Sequence, residues 1–341
     1  MTTLEAPQKI VILGGSGHLG RIMTSHFVAA GHRVTIVGRG SLPASMMGPN
    51  VDFARWDGRT VEAHWASEVD GADVVLNLAG RTVDCRYNKV NLEQMLSSRI
   101  DSTRAVGEAI AQAQSPPRVW LQMSTATIYA HTYGPANDER TGQIGAYEPG
   151  TPDYWRYSVL IAEAWEEALW KAQTPHTRRV ALRSAMVMSG EPGGPFRVLA
   201  RLARAGLGGA VAGGDMYMSW IHDADFARAL DLLIANEEVS GPVNLAAPGP
   251  VPQKQFMAGI REAQREIGGL RIPLALPLYR WMVNLGAVFL RTDPELILKS
   301  RRAVSVVLPE HGFQFEFTEW PVAALDLVQQ STKHSDSLST E

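Results

Sequence analysis

Short runs of consecutive apolar residues recur along the chain, and most are followed by a longer amphipathic stretch. Lys9–Leu13 (KIVIL) ends in glycines, and Gly17–Gly31 then reads as a helix closed by Gly31. Arg33–Gly38 (RVTIVG), Val51–Arg55, Asp73–Leu78 (DVVLNL), Arg118–Met123 (RVWLQM) and Arg179–Ser184 read as further strands. Helices are expected near Val61–Glu68, over Asn91–Gln114, which stops at Ser-Pro-Pro, and over Tyr154–Ala172. Unbroken apolar runs, rather than strict alternation, mark strands covered on both faces. Strands alternating with helices predict a parallel, doubly wound α/β sheet. From Ala185 the rhythm weakens, with Gly- and Pro-containing segments at 189–195 and 206–214 between short helices. Pro242–Ala246 adds one more strand, and the chain beyond about Pro248 reads as mainly helical, with a late apolar-aromatic segment at Gly312–Phe317. These features divide the chain into a sheet domain over 8–185, to which 219–247 returns. A smaller, mainly helical C-terminal lobe comes from 186–218 and 248–330, and a polar, disordered tail is expected from Ser331 to Glu341.

The sharpest motif lies where the first strand becomes the first helix: Gly14-Gly15-Ser16-Gly17-His18-Leu19-Gly20. Strand before and helix after are the context in which a glycine-rich turn binds a dinucleotide. Gly14 would turn the chain tightly, Gly17 would let backbone amides approach a pyrophosphate, and Gly20 would let the helix pack closely. The unpaired N–H groups of the helix start would then face the anion. The second strand ends Val37-Gly38-Arg39-Gly40, without the acid that bonds an NAD ribose. Arg39 suits a 2′-phosphate instead, which makes NADP(H) the expected cofactor.

Composition narrows the partners. Among 341 residues, 32 Lys and Arg face 35 Asp and Glu, so no basic surplus argues for nucleic-acid binding. One cysteine, Cys85, excludes an intramolecular disulfide framework and fits a reducing, cytoplasmic setting. The start of the chain has no secretory pattern. The most membrane-like stretch, Ile272–Leu290, is interrupted by Pro273, Pro277, Arg280 and Asn284 and reads as a core or lobe helix, so no membrane span is expected. His222, Asp223 and Asp225 lack a third ligand at useful spacing, so no metal is expected. Arg81 and Arg86 flank Cys85 after the fourth strand, and Arg99 follows on the next helix. They are either ordinary surface charge or a site for a substrate carboxylate or phosphate.

The glycine turn, Asn77-Leu78-Ala79-Gly80 and Ser124-Thr125-Ala126-Thr127-Ile128-Tyr129 resemble the extended short-chain dehydrogenase/reductases, the NAD-dependent epimerase/dehydratase group. More narrowly, the chain is similar to an epimerase-like family with a C-terminal domain of unknown function. The residues that carry this are Ser98–Arg104 (SRIDSTR), Leu182-Arg183-Ser184, Met218–Asp225 (MSWIHDAD), Gly241–Asn244, Ser300–Ala303 and Leu308–Phe313. The resemblance implies a Rossmann sheet with a small substrate lobe. It implies that Ser16, Gly17, His18 and Leu19 line the pyrophosphate, that Asp57 contacts the adenine, and that Leu78, Ala79 and Gly80 follow the adenosine ribose and cofactor backbone. It makes the WIHDAD segment a scaffold between lobe and sheet, and in such relatives the two long helices can pair across a homodimer.

The resemblance also implies a Ser/Thr, a Tyr and a Lys four residues after the Tyr. A neighbouring ammonium lowers the pKa of a phenol that would otherwise titrate near 10. Thr125 matches the hydroxyl position. Tyr157 is the better match for the tyrosine and Tyr154 the poorer one, but Ile161 stands at i+4 from Tyr157, and none of the eight tyrosines has a lysine there. Three readings follow: a reductase or epimerase in which Thr125 works with a remote Lys, Arg or His, an NADP(H)-binding sensor or interaction protein without turnover, and chemistry outside the analogy. An open nicotinamide face would favour an enzyme acting on a small-molecule substrate. A face plugged by Tyr157, Trp155 or the loop after Gly80 would favour the sensor.

Overall fold

The computed structural model describes residues 6–145, 148, 153–268, 275–277, 279 and 298–337. The expected strands form one sheet: β1 (Lys9–Leu13), β2 (Arg33–Gly38), β3 (Val51–Arg55), β4 (Val74–Asn77), β5 (Val119–Thr125), β6 (Arg178–Ser184) and β10 (Gly241–Leu245). Their order is β10-β6-β5-β4-β1-β2-β3, and every pairing is parallel. This is the doubly wound Rossmann architecture.

Unbroken apolar strands follow from two cores, one on each face of the sheet. Side chains alternate across a strand, so Ile10 and Ile12 enter one core while Val11 and Leu13 enter the other. The first core is covered by α1 (His18–Ala29) through Met23 and Phe27, and by α6 (Asp223–Ala235) through Phe226, Leu230 and Leu233. The second is covered by α2 (Ala63–Val69), α3 (Lys89–Gln112) and α4 (Asp153–Trp170), which bury Trp65, Val106 and Leu169 in the same cluster as Trp120 of β5. Each fully buried side chain of this size contributes about 1.5–3 kcal/mol. The winding reverses between β1 and β4, and a crevice opens at such a switch point beyond the strand C-termini.

A third core unites helices from the late chain. It joins α5 (Pro195–Arg204), α7 (Gln253–Glu266) and α9 (Trp320–Ser337), with Trp220 and Trp320 at its centre. Phe256 stacks on Trp320 at 3.7 Å, and a Cβ at Gly259 would lie 2.9 Å from the same indole, so only glycine lets α7 approach α9 there. Two short pairs escape sequence patterning: β7 (Met186–Met188) with β9 (Trp220–His222), and β8 (Tyr217–Met218) with β11 (Val251–Pro252). Remaining helical structure includes one turn, α8 (Val307–Glu310).

The WIHDAD segment sews this core to the sheet. His222 Nδ1 accepts from Ala224 N at 3.1 Å and caps α6, while its ring stacks on Phe317 at 3.7 Å. Asp225 is fully buried and accepts from Glu316 N and Phe317 N, each at 2.9 Å.

One expectation is corrected. The tail does not become irregular at Ser331, because α9 runs to Ser337. Its C-terminal turns are held by Arg197 Nη1 donating to Ser331 O at 2.8 Å and by Thr332 Oγ1 donating to Val328 O at 2.9 Å. Ile272–Leu290 lies outside the described residues, apart from 275–277 and 279. No helix among the described residues is long and apolar enough to cross a membrane.

Candidate functional site

The site begins at the end of β1. Gly14 has φ +78°, donates its N–H to Val37 O at 2.8 Å, and lies where a Cβ would be 2.9 Å from Ala79 N. The glycine turn is therefore pressed against the segment after β4, and only glycine fits. A Cβ at Gly20 would fall 2.3 Å from Gly15 O, so α1 packs directly on the turn that opens it. Gly17, the N-cap of α1, meets only Gly14 O.

The start of α1 has the features of an anion site. No side chain caps it and no acid stands in its first turn. The first intrahelical bond is Arg21 N to Gly17 O at 2.9 Å, which leaves the amides of His18, Leu19 and Gly20 ahead of it. His18 Nε2 is buried with no protein partner among the described residues. Burial holds the His18 pKa below its ordinary value despite the nearby Pro192 carbonyl, so the ring is neutral at pH 7. Arg21 Nη2 also donates to Pro192 O at 3.0 Å and ties the loop before α5 to this turn. The residues present thus fit a bound pyrophosphate.

Asn77 shapes the second wall. Fully buried at the end of β4, it donates Nδ2 to Gln122 Oε1 at 2.9 Å and accepts from Ala79 N at 3.0 Å, which turns Leu78, Ala79 and Gly80 over the sheet edge. One cleft results, with two connected halves sharing Gly14, Gly17, Leu78, Gly80 and Arg81. The half toward β2 has a volume of about 680 Å³ and is bordered by Ser16, Arg39, Asp57 and Ala79. The half toward β5 has a volume of about 480 Å³ and is bordered by His18, Leu19, Gly20 and Thr125. Every cofactor residue expected from sequence therefore borders this cleft.

Their states differ. Arg39 is exposed, with no carboxylate in ion-pair distance among the described residues. Asp57 Oδ1 accepts from Arg59 N at 2.8 Å and Thr60 N at 2.9 Å. Its slight burial opposes ionisation, but these amides outweigh it and hold the carboxyl below its ordinary pKa.

Thr125 is the last residue of β5. Its Oγ1 accepts from Thr127 N at 3.1 Å, and its own O–H has no acceptor among the described residues. Tyr157 is half-buried on α4 but does not border the cleft; Ser158, Ile161 and Trp165 do. Trp155 is buried away from it, beside Val211, Met216 and Leu298. The side chain of Tyr154 lies outside the described residues.

Sequence reasoning missed two features. The first is a buried polar network behind Thr125. Arg183 donates Nε to Glu166 Oε1 and Nη2 to Oε2, each at 2.8 Å, and Ser124 Oγ donates to Oε1 at 2.6 Å. Arg183 Nη1 donates to the Tyr129 hydroxyl at 3.0 Å, which donates to Asn244 Oδ1 at 2.9 Å. The available signal was Arg183 itself, a charge within a doubly covered strand that requires a buried acid. The second is the segment after residue 298. Arg301 borders the cleft and donates Nε to Thr127 Oγ1 at 3.2 Å, while buried Lys299 donates Nζ to Thr127 O at 3.0 Å without bordering it. Tyr87, from the loop after β4, also borders it.

Comparison with known proteins agrees with this geometry. The chain is 27% identical over 333 residues to epimerase family protein YfhF of Bacillus subtilis, covering 94% of this chain and 97% of that protein. It is 30% identical over 309 residues to epimerase family protein Mb2239 of Mycobacterium bovis, covering 90% and 93%. The crystal structure of human epimerase family protein SDR39U1 (isoform 2) with NADPH superposes with a TM-score of 0.78 at 26% identity, over 94% of this chain and 99% of that one. Residues 10–246, from β1 through β10, match the NAD dependent epimerase/dehydratase family, and the chain belongs to it.

Proposed function

We propose that the protein is an NADP(H)-dependent oxidoreductase, reductase- or epimerase-like, acting on a small carbonyl or alcohol in the half of the cleft toward β5. The observation that carries this reading is the continuous cleft from the uncapped start of α1 to the Thr125 hydroxyl, which neither Tyr157 nor Trp155 borders and which the loop after Gly80 lines through Thr82, Val83 and Tyr87 while leaving about 480 Å³ open. The NADPH in the similar human structure supports the choice of dinucleotide. Bound NADPH supplies a hydride; the chain positions the substrate and handles its proton. The amides of His18, Leu19 and Gly20 would hold the pyrophosphate, and Arg39 would hold the 2′-phosphate. Thr125 O–H donates to the substrate oxygen, with the Ser158 hydroxyl on the neighbouring wall.

A second reading, a cofactor-binding protein without turnover, is favoured by one observation: no lysine borders the cleft among the described residues. A screen of aldehydes and ketones for substrate-dependent NADPH oxidation separates the two. With a substrate found, Thr125→Val lowers kcat by about tenfold or more, the loss of one hydrogen bond made in the transition state. Tyr157→Phe changes it by less than about threefold, because that phenol is off the cleft. A large loss in Tyr157→Phe with none in Thr125→Val reverses the assignment. NADPH binding with no oxidation across the screen supports the sensor.

The same reading places the protein in a reducing, cytoplasmic setting and pairs two copies along α3 and α4. Gly107, Ala111, Ala164 and Ala168 leave a groove between those helices that a second copy could enter. Light scattering should give twice the chain mass; a monomer at micromolar concentration discards the pairing.

A further inference from the structure

Arg81, Arg99 and Arg301 bring positive charge to the half of the cleft toward β5. Arg99, on α3, is only 9% exposed and borders this half but not the other. Its guanidinium lies over the Trp165 ring, 4.8 Å from the centroid, and beneath Gly80, whose missing Cβ leaves the space beside it open. Of the five N–H donors of an arginine, only one, on Nη1, has a protein acceptor among the described residues, the Met95 carbonyl at 3.0 Å. Arg81 stands nearby and is held by neutral groups, Asn91 Oδ1 at 2.8 Å and Gln94 Oε1, with its Nε buried and unmatched. Arg301 borders the same space from the C-terminal segment. No Asp or Glu is among the described residues that border it. Burial pulls the Arg99 pKa down to about 10, yet the group remains charged at pH 7.

A buried cation without an acid costs stability, and a guanidinium fork matches a carboxylate or phosphate with two parallel hydrogen bonds. We propose that this half of the cleft takes a substrate carrying an oxyanion, a carboxylate or phosphate ester, held by Arg99 and Arg81. The proposal rests on the reading of the cleft as a cofactor-and-substrate site. The cofactor's pyrophosphate is the other possible source of the anion. It is already matched by the start of α1, whose His18, Leu19 and Gly20 border the same half as Arg99, so the NADPH affinity of an Arg99 variant is the readout that separates the two sources.

The test titrates inorganic phosphate and oxalate, with acetamide as neutral control, into the full chain saturated with NADPH at constant ionic strength. Binding is read by calorimetry and by the fluorescence of the bound dinucleotide. The expected result is saturable anion binding, weakened by about tenfold or more in Arg99→Met, with NADPH affinity unchanged within about twofold. Unliganded Arg99→Met should melt no lower than wild type; Arg99→Gln replaces it if it does not fold. Arg99→Lys should bind the anions with intermediate affinity, since charge without the fork is retained.

Three outcomes overturn the proposal: no saturable anion binding by the loaded wild type, a loss of NADPH affinity of about tenfold or more in Arg99→Met, or a lowered melting temperature that Arg99→Lys restores without any change in anion binding. If the wild type binds no dinucleotide, the cofactor reading fails by itself. The titration on unliganded protein then decides the subsite: anion binding lost in Arg99→Met keeps it, and no binding removes it.

Discussion

Arg39→Ala weakens NADPH binding by about thirty- to hundredfold and leaves NADH binding within about twofold, as calorimetric titration of both proteins with both nucleotides would show. The magnitude follows from losing charge-assisted hydrogen bonds to a 2′-phosphate, about 2–3 kcal/mol. The selectivity follows from geometry. β2 ends at Gly38, and Arg39 emerges into the half of the cleft that Gly38 and Ser16 also border. No acid stands at that strand end to bond a ribose hydroxyl, which is where NAD sites place one. Arg59 borders the same space, but its Nε is 3.5 Å from Asp57 Oδ2, so its charge already has a partner. Arg39 has none among the described residues and is the group available to the phosphate. Arg39 is exposed to solvent, so added salt should shrink the NADPH preference. Equal losses for the two nucleotides would remove the 2′-phosphate from the argument and leave Arg39 as general surface charge.

The sheet was legible because its strands lie between two cores. A strand such as Lys9–Leu13, apolar at consecutive positions, has no solvent-facing side to mark with polar residues. The pairs β7–β9 and β8–β11 are too short, at two or three residues, to carry a period. The glycine turn was legible for a steric reason: at Gly14 and Gly20 an added carbon would meet backbone.

The side of the cleft toward β5 was less legible. Reading Tyr157 from its motif position fixes its place in sequence but not its helical azimuth. Consecutive helical residues differ by about 100°, and the cleft receives Ser158, Ile161 and Trp165 instead. Arg301 carries no local signal, since the bond that brings it to Thr127 spans 174 residues. Arg99 was visible as one of several arginines, and only burial separates it from Arg86, which is exposed and off the cleft.

The largest stability effect is expected one layer behind the cleft, at Glu166 and Arg183. Their side chains are 7% and 11% exposed and joined by two parallel hydrogen bonds. Burial alone would weaken the charge on Arg183, but the paired oxygens of Glu166 more than offset it and raise its pKa. Glu166→Gln leaves that guanidinium buried against a neutral amide and also disturbs the Ser124 hydroxyl; the expected loss is about 3–5 kcal/mol. Replacing both residues, Glu166→Leu with Arg183→Met, removes the charge together with its partner and should cost less than the sum of the single changes. Urea unfolding of the two single variants and the double variant measures this coupling directly. The loss should reach the site as well, because Ser124 precedes Thr125 and Tyr129 closes the same network onto Asn244 of β10. A variant that remains folded at low temperature should therefore bind NADPH through the distant glycine turn while losing whatever depends on the position of Thr125. Stability within about 1 kcal/mol of wild type in Glu166→Gln, a value typical of solvent-exposed pairs, would show that this pair is not the buried tie between α4 and β6 that its geometry describes.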